Sequence, residues 1–337
     1  MSDANKVKLN KKKCETGMDT LEFSITLEGM ENLSFDEETL PNKADKSIVT
    51  VKCVNGKVSG SVNAVHCIRN TNAEPFSLTD CIKMEIVRNK VFDFIRDYLK
   101  KNLGSKYEDK YFENSRVTSL EVNITRPCVG KALPSDMCHF FNVVFGKAKV
   151  FTDRKPGSRC DIVKDGIMYE KKHLYQLKIY DKEKDLHRQG VPIAERKSFR
   201  LEVVFKDRKL NSMFGENKRT LDNVLSAKSL DVMCRAYKEV FDEIIEQHII
   251  PWLNDCVADL FESLTQSESG NEISDTIMRH KNIIVDVECL RRALKRWYKF
   301  RGVEDRSKQM IHKYRNKDLG LAEDVLKTLR AFHQAAG

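Results

Sequence analysis

Three short runs carry side chains that could do chemistry together. Residues 174–186, LYQLKIYDKEKDL, alternate Tyr175, Leu177 and Ile179 with Gln176, Lys178 and Tyr180. Residues 197–210, KSFRLEVVFKDRKL, alternate Phe199, Leu201, Val203 and Phe205 with Arg200, Glu202 and Lys206. A period of 2 turns successive side chains to opposite faces of a strand. Paired antiparallel, the two runs put a tyrosine, a lysine, an arginine and a glutamate on one polar face. RVTSLEVNITRPC, residues 116–128, adds Ser119, Glu121 and Asn123 opposite Leu120, Val122 and Ile124. A phenol ionises near pH 10, about three units above neutrality, so it needs help to act as a nucleophile. Lys178, two residues before Tyr180 and on its side, can lower that pKa or clamp a phosphate oxygen. Two carboxylates can hold a divalent cation that polarises the phosphate. These are the parts needed for a protein hydroxyl to attack a phosphodiester, and Lys182 and Lys184 continue the positive edge. The same residues also make ordinary cross-strand charge pairs on the wet side of a sheet, so spacing alone leaves both readings open.

The elements that must position this face can be read along the chain. Residues 1–18, with Lys11, Lys12 and Lys13, read as a flexible basic tail. Leu21, Phe23, Ile25 and Leu27 alternate as a first strand, and residues 29–46 read as an acidic loop. SIVTVKCV and KVSGSVNAV flank Asn55-Gly56, whose residues tolerate the positive φ angles of a hairpin turn. From Ser77 to Leu103 the period becomes helical, through Met84, Val87, Val91, Ile95 and Tyr98, and Gly104 ends it. Ser135 and Asp136 open a second helix carrying Met137, Phe140, Phe141 and Val144. Val150 to Thr152, and Ile162 to Tyr169 broken at Asp165-Gly166, read as strands leading into the run at 174. Strands this frequent with so few helices between them predict an α+β fold. Its antiparallel sheet carries helices on one face and an open polar active-site face on the other.

After Leu210 the pattern is helical. Met233, Tyr237, Val240, Phe241, Ile244 and Ile245 form a stripe that breaks at Pro251 and resumes at Trp252. QSESGNEIS, residues 266–274, reads as a linker. The predicted organisation is therefore a catalytic domain over 19–265 and a helical basic region over 271–337. Helices are expected there at Ile277–Phe300 and Leu319–Phe332.

The 337 residues carry a net charge of +9, and residues 271–337 hold 15 Lys and Arg against 9 Asp and Glu. Six of the nine excess charges thus gather at one end, which points to a polyanionic partner, with a solvated helix face as the plainer reading. Arg291, Arg292, Lys295 and Arg296 are the candidates for reading DNA from a helix, with Arg200, Lys184 and Lys206 contacting it from the sheet. The ten cysteines form no CxxC pair, which fits free thiols in a reducing cytoplasm. His66 beside Cys67 and Cys138 beside His139 diverge too much on one element to share a metal. No run of about 18 apolar residues occurs to span a membrane.

KIYDKEKDL followed by FRLEVVFKDRKL resembles the core of rolling-circle replication initiators of the replication-initiation-factor type. These serve small plasmids, and filamentous-phage gene II proteins have a similar pattern. The likeness spans residues 116–210, with Ser119-Leu120-Glu121-Val122 as the earlier acidic strand. It implies that Tyr180 attacks one strand at a replication origin, becoming joined to the 5′ phosphate and leaving a 3′ hydroxyl to prime synthesis. It implies Glu121 and Glu202 as ligands of Mg²⁺ or Mn²⁺, with Lys178 and Lys182 steadying the phosphate. It also implies strand rejoining, recruitment of host helicase and polymerase, dimer formation and a bacterial cytoplasm. The chain departs from the pattern at Lys178, where relatives carry arginine, and at Thr125, where they carry a second acid. Asn123 or water is left to complete the metal shell.

Tyrosine nickases of the other large class hold their metal with two histidines one apolar residue apart. No such pair occurs among the eight histidines here; His187-Arg188-Gln189 has a charged residue between its ends. A tyrosine recombinase would use Tyr298 or Tyr314 with Arg291, Arg292 and His312, but those residues lie in a helical pattern. A non-catalytic DNA-binding protein, gripping phosphates without cleaving them, is the main alternative.

Overall fold

The computed structural model describes residues 15–69, 76–77, 81–152, 158–163, 166–190, 197–279, 287–315 and 320–336. Its centre is an antiparallel sheet. In chain order the strands are β1 (Gly17–Thr26), β2 (Phe35–Pro41), β3 (Ser47–Val54), β4 (Lys57–Asn63), β5 (Phe76–Ser77), β6 (Ser115–Pro127), β7 (Ser158–Val163), β8 (Gly166–Lys171), β9 (Tyr175–Asp181) and β10 (Ser198–Phe205). They lie in the order β2-β3-β4-β1-β6-β10-β9-β8-β7, with β5 paired to the start of β1. The three runs that carry the candidate chemistry, β6, β10 and β9, are therefore adjacent and interior. β9 and β10 pair as expected, with Arg200 opposite Tyr180 and Glu202 opposite Lys178. On its other edge β10 sets Arg200 opposite Thr125 and Glu202 opposite Asn123.

Helices cover the apolar side. α1 (Cys81–Leu103) buries Met84, Val87, Val91, Ile95 and Tyr98. α2 (Pro134–Thr152) buries Met137, Phe140, Phe141, Val144 and Phe145. α3 (Lys182–Arg188) and α4 (Asp207–Phe214) leave the ends of β9 and β10, and α5 (Leu221–Val224) is a single turn. α6 (Ser229–Ile244) lies on β10, where the Tyr237 hydroxyl donates to the Leu201 carbonyl at 3.1 Å. These side chains share one large core with the apolar faces of the strands.

Several expectations change in detail. The acidic segment 29–46 contains β2, an edge strand paired to β3; Glu37 is exposed, so alternation is hard to read there. Residues 150–152 continue α2 instead of forming a strand. Residues 1–14 and Asp165 lie outside the described residues, while Glu15 to Met18 belong to the fold. The Glu15 amide donates to the Ala335 carbonyl at 2.8 Å, and Gly17 and Met18 pair with β6. At Pro251 the helix does not break. A π turn over Ile245–Ile249 leads into α7 (Ile250–Thr265), which takes the proline in its first turn, where its missing N–H costs little.

The C-terminal region is not one unit. α8 (Gly270–Arg279), α9 (Val287–Arg301) and α10 (Ser307–Arg315) form a second, smaller core with the distal half of α7, through Val257, Leu260, Leu264, Ile277, Leu290, Leu294 and Trp297. α11 (Gly320–Ala335) instead returns to the main core, where Leu329 and Phe332 are buried and Phe332 meets Phe199 edge to face. The boundary expected at 265–271 fails because α7 spans both cores and α11 covers the sheet.

Candidate active site

The polar face of β6, β10 and β9 brings Tyr180, Glu202, Lys178 and Glu121 into direct contact. The Tyr180 hydroxyl donates to Glu202 Oε2 at 2.9 Å. Lys178 Nζ lies 2.7 Å from Glu202 Oε1 and 3.1 Å from Glu121 Oε1, so one ammonium closes on both acids. The face is accessible along β9, where the Lys178 side chain is 36% exposed, and closes towards β10, where Glu202 retains 3%. Asn123 is fully buried beside Glu202, and neither its amide nitrogen nor its carbonyl oxygen has a partner.

Burial and charge set the protonation of the group. Burial, a hydrogen bond to Glu202 and the Glu202 charge hold the Glu121 carboxyl well above its ordinary pKa. Glu202 moves the other way: burial opposes its ionisation, but the hydrogen bond with Glu121 and the charges of Lys178 and Arg200 outweigh it. The two acids thus share a proton as a coupled pair, with the charge resting on Glu202. Burial would lower the Lys178 pKa, yet Glu202 and Glu121 raise it above that of a free lysine. Burial pushes the Tyr180 phenol well up, with Arg200 pulling it down and Glu202 and Asp19 adding to the rise.

Two candidate residues sit elsewhere than the strand pattern implies. Lys182 was expected to extend the positive edge of β9 and steady a phosphate. The strand ends at Asp181, whose side chain caps α3 by accepting from the Glu183 and Lys184 amides. The chain turns there, and the buried Lys182 ammonium lies 2.7 Å from Asp185 and 5.8 Å from the centre of the Tyr180 ring. Burial and then Arg200 lower its pKa. It supports the ring from within and is not placed to meet a phosphate. Lys184 stays exposed on α3, 3.9 Å from Asp181.

Arg200 was expected to contact DNA. It has 0% exposure, donates from Nε to Thr125 Oγ1 at 2.6 Å and pairs through a terminal nitrogen with Asp19 Oδ2 at 2.9 Å. Asp19, Thr125 and Tyr180 close around its guanidinium and keep it from solvent, so Arg200 is an internal ion under the site. Lys206 is half-buried beyond the far end of β10, roughly 20 Å along the strand from the Arg200–Tyr180 end. It does not join the cluster.

Asp19 and Gly166 are the members that sequence reasoning missed. Strict alternation puts Asp19 on the apolar side with Leu21, Phe23 and Ile25. A register shift in β1 between Met18 and Leu21 reverses the phase, so Met18 enters the core and Asp19 reaches Arg200. Gly166 stands opposite Tyr180 in β8, and a side-chain carbon there would collide with the Ile179 carbonyl and press on Tyr180. The Asp165-Gly166 break in the run from Ile162 to Tyr169 is its visible signal.

The helical candidates form a separate surface. Arg291 and Arg292 are half-buried on α9, with Arg292 donating to Asn254 at 2.8 Å, while Lys295, Arg296 and Lys299 are exposed. Helical spacing sets Arg292, Lys295, Arg296 and Lys299 on the face opposite Leu290, Leu294 and Trp297. Tyr298 is buried in the smaller core as packing.

Among the described residues no helix is long and apolar enough to cross a membrane. No cage of three or more His, Cys, Asp or Glu side chains occurs among them either. Any divalent ion on this face would therefore rest on two carboxylates, an amide oxygen and water, a set of hard oxygen donors that Mg²⁺ accepts. The convergence of Glu121 and Glu202 on one cation and the unpartnered Asn123 beside them fit that requirement. No protein-family model matches the chain, and no curated protein matches it.

Proposed function

We propose that the chain is a metal-dependent DNA nicking and rejoining enzyme with Tyr180 as its nucleophile, acting at a replication origin of a plasmid or phage. The observation that carries this reading is the contact set on three neighbouring strands: Tyr180 on Glu202 at 2.9 Å, with Lys178 bridging Glu202 and Glu121. Glu202 accepts the phenol's hydrogen bond, which orients its oxygen and offers the proton a destination at general-base distance. Lys178 is the most exposed charge of the group and meets the phosphate. Arg200, fixed by Asp19 and Thr125, supplies positive charge beneath the phenol without needing to move. Glu121 and Glu202, with Asn123, would hold Mg²⁺ or Mn²⁺. When bound, such an ion supplies charge against a phosphate oxygen and against the carboxylate charge that keeps the phenol protonated.

Attack by the phenolic oxygen on phosphorus makes a tyrosine–5′-phosphate bond, and the departing 3′ oxygen takes up a proton as the hydroxyl that primes synthesis. The reverse step rejoins the strand. The exposed cations of α9 would hold duplex DNA by phosphate contacts. The test is to incubate the protein with supercoiled origin-bearing DNA and Mg²⁺ and look for nicked circles carrying covalent protein, then map the modified residue. Adduct at Tyr180 supports the reading. Duplex binding with no nicking or adduct would leave a DNA-binding protein without catalysis.

A further inference from the structure

Resting on the reading of Glu121 and Glu202 as metal ligands, we propose that Lys178 is a built-in place-holder. Its ammonium occupies the position of the divalent cation and must be displaced when the metal enters. Both acids already close on one cation, at 2.7 and 3.1 Å. The ladder sets the Cα positions of both acids, so they stay within reach of one ion. Glu202 is fixed opposite Lys178 on one side and Asn123 on the other, and Glu121 lies opposite Val204 in the same ladder. The flexible partner is the lysine, a compact charge on a four-carbon stem whose side chain alone keeps substantial exposure.

The face also carries more oxygen than the ammonium uses. Asn123 stands opposite Glu202 in the ladder, and its buried side-chain oxygen accepts no hydrogen bond, whereas a divalent ion takes six or more oxygen ligands. Lysine and metal thus compete for the same two carboxylates, and metal entry frees the ammonium towards solvent, where a phosphate would lie. Before metal arrives, the ammonium answers the charge that the pair of acids carries. In the exchange the metal replaces the ammonium, and any proton the two acids share leaves to solvent.

The experiment measures Mn²⁺ binding to the full chain, from the paramagnetic resonance of the free ion, at fixed pH and ionic strength. The proteins compared are the wild type, Lys178→Met, Lys178→Gln and the double variant Lys178→Met with Glu121→Gln. A cation beside a carboxylate changes its proton affinity by about 1–3 pKa units, so Lys178→Met should bind Mn²⁺ roughly ten-fold tighter or more. Lys178→Gln should fall between it and the wild type, and the double variant should lose the gain. Mn²⁺ should also raise the unfolding temperature of Lys178→Met more than that of the wild type. If Lys178→Met does not fold without metal, Lys178→Gln carries the comparison. Wild-type binding that neither single variant tightens would overturn the place-holder while leaving the metal site standing. Failure of all four proteins to bind Mn²⁺ would remove the metal site itself, and this proposal with it.

Discussion

The polar face of β6, β10 and β9 and the outer face of α9 are built from similar cationic residues and differ in what surrounds them. On the sheet every charge is answered: Arg200 by Asp19, Lys178 by two glutamates, Lys182 by Asp185. On α9, Lys295, Arg296 and Lys299 are exposed and make no ion pair among the described residues. In a partly dry site, charges shift one another's protonation and fix one another's positions. On a wet helix they remain independent, screened by salt and available to any polyanion. The sheet face is suited to chemistry and the helix face to adhesion.

The largest expected effect separates the two faces outright. Tyr180→Phe should abolish the covalent DNA adduct while leaving duplex binding intact, measured by gel analysis of denatured complexes alongside a binding titration. Survival of the adduct would move the nucleophile elsewhere; equal loss of binding would merge the two faces into one.

Next comes the buried ion pair. Arg200→Met takes the nearest counter-ion from Asp19, whose carboxyl pKa burial already pushes up, so stability should drop by about 3–5 kcal/mol in denaturant unfolding. Adding Asp19→Asn should recover part of that loss, because the stranded carboxyl is gone. A cost for Arg200→Met as small as that of a surface substitution would mean the pair does not organise the site.

The coupled acids give a smaller, pH-dependent effect. Glu121 has a folded-state pKa raised above its unfolded value of about 4.3, so the stability it contributes is complete below about pH 4.3 and declines as pH rises through the folded value. Glu121→Gln removes that decline. Its unfolding temperature relative to wild type should therefore climb with pH above about 4.3, a tenfold difference in proton affinity between the folded and unfolded chain being worth about 1.4 kcal/mol. Glu202, depressed in the folded state, contributes in the opposite sense: its stabilisation is present above its unfolded pKa and is lost as pH falls through the folded one. A Glu121→Gln difference that is flat or falls with pH would place the shared proton on Glu202 instead.

The smallest change in stability belongs to α9. Replacing Lys295, Arg296 and Lys299 with alanine should alter stability by no more than about 0.5 kcal/mol. The slope of log affinity against log salt for duplex DNA should become shallower by about 0.9 for each phosphate the helix no longer neutralises. An unchanged slope would leave α9 a solvated face. Removing residues 270–337 would not make this test, because α11 would go too and expose the core around Phe332 and Leu329.

Period-2 patterning was enough to place Tyr180, Lys178, Glu202 and Glu121 on one side of adjacent strands, because a strand's alternation is local and β9 and β10 follow one another closely in the chain. It was also enough for the Asn55-Gly56 hairpin, where both residues adopt positive φ, 51° and 69°. The same rule misplaced Lys182 by being carried one residue past Asp181, where a helix cap ends the strand. Extended to Asp19 it gives the wrong side, because a bulge depends on how β1 meets β6, far later in the chain.

What the sequence determined by itself was therefore the inventory and the phase: which residues share a face, and that the fold is an antiparallel sheet with helices against its apolar side. The tertiary structure alone decided which charges are dry. Whether an arginine meets solvent or an aspartate depends on which strands lie to either side of it and on what covers them. Those are contacts between segments far apart in the chain, and no local periodicity records them.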